Sequence, residues 1–309
     1  MNIAFFGTPD FAIPSLREIN NSTHNVVATI TGISKPSGRG QKLHSTPVFF
    51  ESEKLNIPII EIDDLSDSNF IKKLESLQVD IFIIVAFRIL PEKIFSIPKY
   101  GTVNLHASLL PKYRGSAPIH HAILNGETQT GITTFQINNR VDAGSVYLQE
   151  KYIITRKATT GMVWDDLSIA GASLLVKTLN GIENGSISPI KQDLQKSSPA
   201  PKLKSEMFCI NWDMGSEHIH NQIRAFSPKP GAFTTLNKLR IKLFDSEISN
   251  KNILKPAMFK IENNKIIIGT GDGELIIKSV QLEGKRRMLV ADFYKGFLSK
   301  IEGKEFSFG

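Results

Sequence analysis

Short apolar runs alternate with helical stretches through the first half of this 309-residue chain. Each run is almost continuous in apolar residues, which is typical of strands buried on both faces, because a strand with one wet face alternates apolar and polar side chains. The runs occupy residues 2–7, 25–33, 57–62, 80–87 and 102–108. Since helical segments separate them, the pattern predicts an α/β fold with a doubly wound, mostly parallel sheet.

The carboxyl ends of these strands are the first candidates for a functional site, because ligands of doubly wound sheets bind there. The runs that end near Gly7, Phe87 and Ser108 therefore direct attention to the residues that follow them. The stretch GTPD at 7–10 lacks the spaced glycines that let a nucleotide pyrophosphate approach the backbone. We therefore expect no dinucleotide cofactor.

The pattern changes near residue 189. A helical pattern over 155–185 gives way to a stretch rich in Ser, Pro and Lys, which predicts an interdomain linker at 189–208. Beyond it, a helix near 216–225 and several short strands separated by turn residues predict a smaller antiparallel β domain, for which a barrel is one candidate form. The predicted organisation is a first domain over 1–188, the linker, and a second domain over 209–309.

The positive charge is concentrated in the last third of the chain. Of a net charge of +7, residues 201–309 hold 18 basic against 12 acidic side chains, whereas 1–200 are nearly balanced at 19 against 18. A basic domain favours a polyanionic partner, and nucleic acid before a membrane surface, because no amphipathic basic helix accompanies the charge. A basic domain without such a partner is the alternative.

Cysteine and apolar run length bear on the compartment. The single cysteine, Cys209, excludes an internal disulfide, favours the cytoplasm, and is expected to be buried. The longest apolar run has about seven residues where a membrane span needs about 20, so we expect neither export nor a membrane span. No cysteine pair has zinc-ligand spacing, and His218 and His220 are expected at the surface or as caps, so no metal site is predicted.

The residue types needed for acyl transfer to an amine occur around 104–118. Asn104 and His106 lie two apart at the end of an apolar run, so both point to one side of the strand. A neutral imidazole accepts a proton near neutral pH, and an amide donates to a developing oxyanion. Asp142 lies in a glycine-containing loop and would stabilise the imidazolium. A buried histidine satisfied by a nearby carboxylate, with no catalytic role, is the alternative.

Seven segments of the chain form one recognisable set of motifs. They are FFGTPDFA (5–12), KPSGRGQKL (35–43), NLHASLLPKYRG (104–115), VDAG (141–144), APKLKSE with INW (200–212), IHNQIRAFSPKPGA (219–232) and LEGKRRM with DF (282–293). The string N-x-H-x-S-L-L-P at 104–111 alone resembles the wider group of folate-dependent formyltransferases. With the carboxy-terminal segments added, the chain resembles the methionyl-tRNA formyltransferase family nearly from end to end.

The resemblance implies a Rossmann-like formyltransferase domain followed by an OB-like β-barrel. It also implies that 10-formyltetrahydrofolate donates a formyl group to the methionine amino group of initiator methionyl-tRNA, without a metal. The matching positions imply three groups of site residues. The catalytic residues would be Asn104, His106 and Asp142; the folate-binding residues Ser108, Leu109, Leu110, Pro111, Phe87 and Arg88; and the tRNA-binding residues Arg39, Lys42, Arg224, Lys285, Arg286 and Arg287.

Several alternatives stay open from the sequence. The acceptor amine could belong to a small molecule such as a sugar nucleotide, or water could replace it, which would give a formyltetrahydrofolate hydrolase. An RNA-binding module with a degenerate pocket is the non-enzymatic alternative. Arg88 either faces the acidic tail of folate or the solvent, and the basic loop at 35–42 is either a phosphate-binding arm or a solvated connection.

Overall fold

The computed structural model describes residues 1–37, 42–236, 239–249, 251, 253–263 and 265–298. The chain divides into two compact units. Unit 1 comprises Met1–Pro118, Gln129–Ile153 and Trp164–Pro201. Unit 2 comprises Ile119–Thr128, Ile154–Val163 and the described part of Lys202–Gly309.

Unit 1 is built on a seven-stranded sheet with a separate short hairpin. The sheet order is β5-β2-β1-β6-β7-β8-β9, and β3 pairs with β4. The strands are β1 (Asn2–Gly7), β2 (Asn25–Gly32), β3 (Lys35–Ser37), β4 (Lys42–His44), β5 (Ile59–Ile62), β6 (Ile81–Val85), β7 (Thr102–His106), β8 (Gln129–Gln136) and β9 (Val146–Ile153). The five strands from β5 to β7 are parallel, and β8 and β9 are antiparallel additions at one edge. The doubly wound, mostly parallel sheet is thus confirmed.

The sheet order reverses between β1 and β6. From β1 the chain builds outward through β2 to β5, and it then returns to place β6 and β7 on the other side. All five residues of β6 are buried, because helices cover both faces of a parallel sheet. The crevice outside the carboxyl ends of the strands at this reversal is where such sheets bind ligands.

The helices begin where the sequence provides capping groups. The Thr46 side chain accepts from the N–H of Phe49 at the start of α2, and the Asp67 side chain accepts from the N–H of Asn69 at the start of α3. The helices are α1 (Ile13–Asn20), α2 (Pro47–Lys54), α3 (Ser68–Ser76), α4 (Glu92–Phe95), α5 (Pro118–Leu124), α6 (Thr160–Glu183), α7 (Ser216–Ala225) and α8 (Val290–Phe293). Among the described residues, no helix is long and apolar enough to cross a bilayer.

Unit 2 contains an antiparallel sheet packed on an apolar core. The strand order is β10-β11-β14-β13-β12, with β15 paired to β14. The strands are β10 (Ala232–Leu236), β11 (Leu239–Ser249), β12 (Phe259–Glu262), β13 (Lys265–Gly269), β14 (Glu274–Leu282) and β15 (Met288–Leu289). Burial alternates along β10, which is expected of a strand with one face on the core. The predicted antiparallel domain is thus confirmed.

The stretch predicted as a linker, 189–208, is divided between the two units. Residues up to Pro201 belong to unit 1, where Ile190 pairs with Val146 and Pro199 pairs with Arg114. Ala200 is completely buried. This part of the predicted linker is therefore an extended segment that pairs with unit 1 through isolated backbone bridges. Such a segment has no regular repeat, so its sequence shows no periodic pattern.

Two side-chain expectations in unit 2 were wrong. Cys209 is exposed rather than buried. Its backbone carbonyl, and not its thiol, accepts a hydrogen bond from the Gln222 side-chain amide. His220 is buried rather than at the surface, since both ring nitrogens have partners: Nδ1 lies 2.9 Å from Ser246 Oγ and Nε2 lies 3.0 Å from the Arg156 carbonyl oxygen. Burial lowers the pKa of the His220 imidazole.

Candidate active site

Strand β7 carries two polar side chains in the middle of unit 1. Asn104 pairs with Ile84 of β6 and Phe135 of β8, and His106 is the last residue of the strand. Asn104 is half-buried and His106 is 6% exposed. Because side chains alternate along a strand, the amide and the imidazole emerge on one face, as the spacing predicts.

The backbone fixes which nitrogen of His106 carries a proton. Nε2 lies 2.8 Å from the carbonyl oxygen of Tyr113. A carbonyl oxygen only accepts hydrogen bonds, so Nε2 must be the donor. In the neutral ring, Nδ1 therefore has the lone pair.

Asp142 lies on the Nδ1 side of the imidazole. Its Oδ2 is 3.7 Å from Nδ1, which is too long for a hydrogen bond but close enough to stabilise a positive ring. The same Oδ2 accepts a hydrogen bond of 2.8 Å from the N–H of Gly115. The structure thus brings His106 and Asp142 together, with the tautomer set by Tyr113 and the carboxylate placed to stabilise an imidazolium.

The loop that presents Asp142 has a constrained backbone. Asp142 has a φ of +50°, in the left-handed region that most side chains avoid. At Gly144 a Cβ atom would overlap the carbonyl oxygen of Gln136, so only glycine fits there. The Gly in the sequence VDAG is therefore a packing requirement of the loop that carries the carboxylate.

The predicted folate-binding segment 108–111 follows directly after β7. Ser108 is completely buried, and its hydroxyl donates to the carbonyl of Lys112 at 2.7 Å. The N–H of Leu110 donates to Thr133, and the Leu110 carbonyl accepts from Gln149. The Leu110–Pro111 peptide bond is cis. The Ser108 hydroxyl therefore stabilises this turn by its hydrogen bond to the main chain. Leu109, which is partly exposed, is more accessible than the Ser108 side chain.

Phe87 and Arg88 follow β6 at the same edge of the sheet. The Phe87 ring packs edge-on against Phe6, with 5.6 Å between ring centroids. The Arg88 guanidinium lies over Phe87 and donates to the carbonyls of Ile62 and Asp63. Arg88 thus joins two strand ends through backbone carbonyls.

Arg114 is an additional charged group in this region. Its guanidinium donates to Gln192 Oε1 at 2.6 Å. Burial lowers the pKa of Arg114, and the nearby Asp142 carboxylate opposes this shift. In the part of the chain that the structure describes, no three His, Cys, Asp or Glu side chains are grouped to hold a metal ion.

The residues predicted to contact tRNA have different placements. Arg39 lies outside the described residues, and of Lys42 only the backbone, in β4, is described. Lys285, Arg286 and Arg287 are exposed between β14 and β15 of unit 2.

Arg224 is the exception among the predicted tRNA contacts, because it is 7% exposed. Its Nε donates to Asn221 Oδ1 at 2.9 Å, and its Nη1 donates to the Ala158 carbonyl at 3.2 Å. Burial lowers its pKa. The structure therefore engages the Arg224 guanidinium within unit 2, and its contact with tRNA stays a prediction.

Unit 2 carries two arginines stacked on aromatic rings: Arg287, a predicted tRNA contact, and Arg240, which the sequence analysis did not single out. Arg287 lies over the Phe244 ring at 4.5 Å from its centroid, and its Nε donates to Ser279 Oγ. Arg240 lies over the Phe233 ring at 4.1 Å. We refer to Phe233, Arg240, Phe244 and Arg287 as the cation–aromatic patch. Phe233 and Arg240 occupy non-buried positions of β10 and β11, a signal that the alternation in these strands could have revealed.

Comparison with known proteins agrees with both units. A family model described as formyl transferase matches residues 1–179, and one described as formyl transferase, C-terminal domain, matches residues 202–298. The methionyl-tRNA formyltransferase of Pelotomaculum thermopropionicum is 41% identical over 300 residues, which is 96% of each chain.

Two solved structures share the fold. The methionyl-tRNA formyltransferase from Clostridium thermocellum has a TM-score of 0.57 at 18% identity and covers 91% of this chain and 98% of its own. The N-formyltransferase from Helicobacter canadensis, in complex with folinic acid and dTDP-3-aminofucose, has a TM-score of 0.68 at 25% identity and covers 89% and 98%. Given a 41% identical relative over nearly the whole length, the chain belongs to the methionyl-tRNA formyltransferase family.

Proposed function

We propose that this chain transfers the formyl group of 10-formyltetrahydrofolate to the α-amino group of methionine on initiator methionyl-tRNA. Residues 1–188, together with the part of 189–208 that belongs to unit 1, would carry the chemistry, and 209–309 would bind tRNA in the cytoplasm. The observation that carries the proposal is the placement of His106, with Nε2 held by the Tyr113 carbonyl and Nδ1 facing Asp142. This arrangement suits a base that takes a proton from an amine.

The proposed reaction needs no covalent intermediate with the protein. The folate supplies the formyl group, and the amine nitrogen forms a bond to the formyl carbon while the carbonyl oxygen takes the electron pair. Asn104 donates its amide N–H to this oxyanion. The proton of the amine passes to Nδ1 of His106, where Asp142 stabilises the charge. The oxyanion then reforms the carbonyl, the bond to the folate nitrogen breaks, and the imidazolium returns the proton to that nitrogen.

The folate would bind at the edge of the sheet formed by the ends of β6 and β7. The segment Ser108–Pro111 and the pair Phe87 and Arg88 are the proposed contacts. Their support is that both segments follow neighbouring strands, Ile84 being paired with Asn104. A folate-bound neighbour, the Helicobacter canadensis N-formyltransferase with folinic acid, has the same fold.

The tRNA would contact exposed cations of unit 2 and the basic loop of unit 1. Lys285, Arg286 and Arg287 are the proposed contacts near β15, together with Arg39 and Lys42. The cation–aromatic patch supports this assignment, because guanidinium groups stacked on aromatic rings are held in place while their N–H groups stay available to phosphates. Arg224 is left out of the proposed surface, since its guanidinium is engaged inside unit 2.

A small amine is the competing acceptor. The Helicobacter canadensis structure contains an amino sugar nucleotide, dTDP-3-aminofucose, and it is 25% identical to this chain. The relative named for methionyl-tRNA is 41% identical, and the model of the C-terminal domain matches 202–298. These findings favour tRNA as the acceptor.

The test is a transfer assay with labelled 10-formyltetrahydrofolate. The purified full chain is supplied with methionyl initiator tRNA, with dTDP-3-aminofucose, or with no acceptor. We expect label on the methionine of the tRNA, little on the sugar, and little free formate. Label chiefly on the sugar, or formate released equally without an acceptor, would overturn the proposal.

A further inference from the structure

The side chain of Gln192 connects the two loops that flank His106. Its Oε1 accepts from Arg114 Nη2 at 2.6 Å. Its Nε2 donates to the carbonyl of Asp142 at 2.9 Å and to the carbonyl of Gly144 at 2.7 Å. A carboxamide has both a donor and an acceptor end, and here each end is used by a different loop.

The first of these loops, which contains Tyr113 and Arg114, fixes the tautomer of the His106 imidazole. Tyr113, whose carbonyl accepts from His106 Nε2, has a φ of +59°, and its N–H donates to Ser198 Oγ at 2.9 Å. The Arg114 carbonyl accepts from the N–H of Ala200 at 2.6 Å. Residues 192–200 thus support the loop that fixes the tautomer.

The second loop, which contains Asp142 and Gly144, positions the Asp142 carboxylate. Asp142 reaches Gly115 through Oδ2, and Gln192 holds the carbonyl of the same residue. Since Asp142 has a left-handed backbone, its carboxylate depends on partners at both ends of the residue to keep that conformation. Gln192 provides the partner at the main-chain end.

We infer that Gln192 is a positioning residue for formyl transfer, which sets the Asp142 carboxylate against Nδ1 of His106. The inference rests on the proposed function. Gln192 acts through Asp142, and its carboxamide bonds go to Arg114 and to two main-chain carbonyls. A misplacement of about 1 Å in such an arrangement costs about 100-fold in rate.

The chemistry of the carboxamide distinguishes this role from simple packing. Gln192→Met keeps the length of the side chain but has neither the donor nor the acceptor. Gln192→Glu keeps an acceptor for Arg114 but loses both donors, and it brings a negative charge towards two carbonyl oxygens. Both variants therefore release the Asp142 loop, although only Gln192→Met releases Arg114.

The test measures kcat and KM for formylation of methionyl initiator tRNA in the full chain. We expect Gln192→Met and Gln192→Glu to lower kcat about 10- to 100-fold, with KM for both substrates within about threefold of the wild type. Gln195→Met is the matched control, because Gln195 is exposed and lies three residues along the same segment. Its kcat should stay within about twofold of the wild type.

A double-mutant cycle then asks whether Gln192 acts through Asp142. If it does, Gln192→Met should cost no more than about threefold in an Asp142→Asn background, because the interaction that it positions is already removed. Circular dichroism and the melting temperature of each variant show that the fold is kept, and Gln192→Glu serves as the second variant if Gln192→Met does not fold.

Three results would overturn the inference. These are an unchanged kcat in both Gln192 variants, a raised KM with kcat kept, or the same fold-loss in the Asp142→Asn background as in the wild type. The proposed function fails separately, when the wild-type chain does not formylate methionyl-tRNA at all. A wild type that formylates tRNA while the Gln192 variants match it would reject the inference and leave the proposed function standing.

Discussion

The His106 site of unit 1 and the cation–aromatic patch of unit 2 hold their polar groups in different ways. Around His106, the imidazole, the carboxylate and Gln192 are bonded largely to backbone atoms, at distances of 2.6 to 2.9 Å. In the cation–aromatic patch of unit 2, guanidinium groups lie on ring faces at 4.1 and 4.5 Å. The first arrangement fixes the position of each donor and acceptor atom. The second holds a guanidinium group by its face and leaves its outer N–H groups available to a ligand.

This difference matches the two tasks in the proposed function. Proton transfer depends on the position of one nitrogen, so a small displacement has a large effect. Binding to phosphates depends on the number and sign of charges near the surface, so the removal of one cation has a moderate effect that changes with salt. The comparison predicts steep losses in unit 1 and graded losses in unit 2.

The largest effect is expected at β7. His106→Ala removes the proton acceptor and Asn104→Ala removes the proposed oxyanion donor, and each should lower kcat by roughly 100- to 1,000-fold, as is typical for such groups. Single-turnover formylation measures the chemical step. Thr102, on the same strand, is bonded to the Phe95 carbonyl, so Thr102→Ser provides a control that keeps its hydroxyl. Near-normal rates in both alanine variants would remove the catalytic role of this strand.

The second effect is expected at the backbone of the Asp142 loop. In Gly144→Ala the new Cβ would overlap the carbonyl oxygen of Gln136, so the loop must shift and take the carboxylate with it. We expect kcat to fall by about 10- to 100-fold. Gly185→Ala is a control that adds backbone strain without a steric overlap, since Gly185 has a φ of +71° and open space around its Cβ position. Equal activity of Gly144→Ala and the wild type would show that the loop tolerates the shift.

The sequence predicted the sheet, helix α7 and the residues on β7, because periodicity and alternation are properties of regular elements. The start of helix α6 was not predicted as well, because it lies at Thr160 rather than near 155. Helix ends depend on capping and packing, which a periodic pattern does not contain. The antiparallel sheet of unit 2 followed from short runs between turn residues.

The support for the site could not be predicted in the same way. Gln192, Ser198 and Ala200 lie in an aperiodic stretch, and each acts through hydrogen bonds to a loop far away in the chain. Arg224 is the opposite case, a charged residue that is buried. Nothing in the sequence indicates that its guanidinium donates to the Ala158 carbonyl inside unit 2. Partners far apart in sequence are set by the tertiary fold alone.

A moderate effect is expected at the cation–aromatic patch. Arg287→Ala and Arg240→Ala should each raise KM for tRNA several-fold and leave kcat within about twofold, because the chemistry is in unit 1. The slope of log K for tRNA against log salt should fall by about one for each phosphate that the variant no longer neutralises. Arg17→Ala is a matched control, since Arg17 is paired with Glu51 in unit 1. A slope unchanged in both patch variants would place the tRNA elsewhere.

The smallest effect on tRNA is expected at Arg224, which makes this residue the sharpest test of the distinction between surface and buried cations. Arg224→Met removes a positive charge like the patch variants, but the guanidinium is engaged with Asn221 and the Ala158 carbonyl inside unit 2. We expect the salt slope to stay unchanged, while the free energy of unfolding falls by about 1 to 3 kcal/mol because two buried acceptors lose their donor. Salt-dependent binding and a melting curve measure the two quantities. A slope reduced by one with unchanged stability would mean that Arg224 reaches phosphate in the complex, and the division between a buried and a surface arginine would then fail.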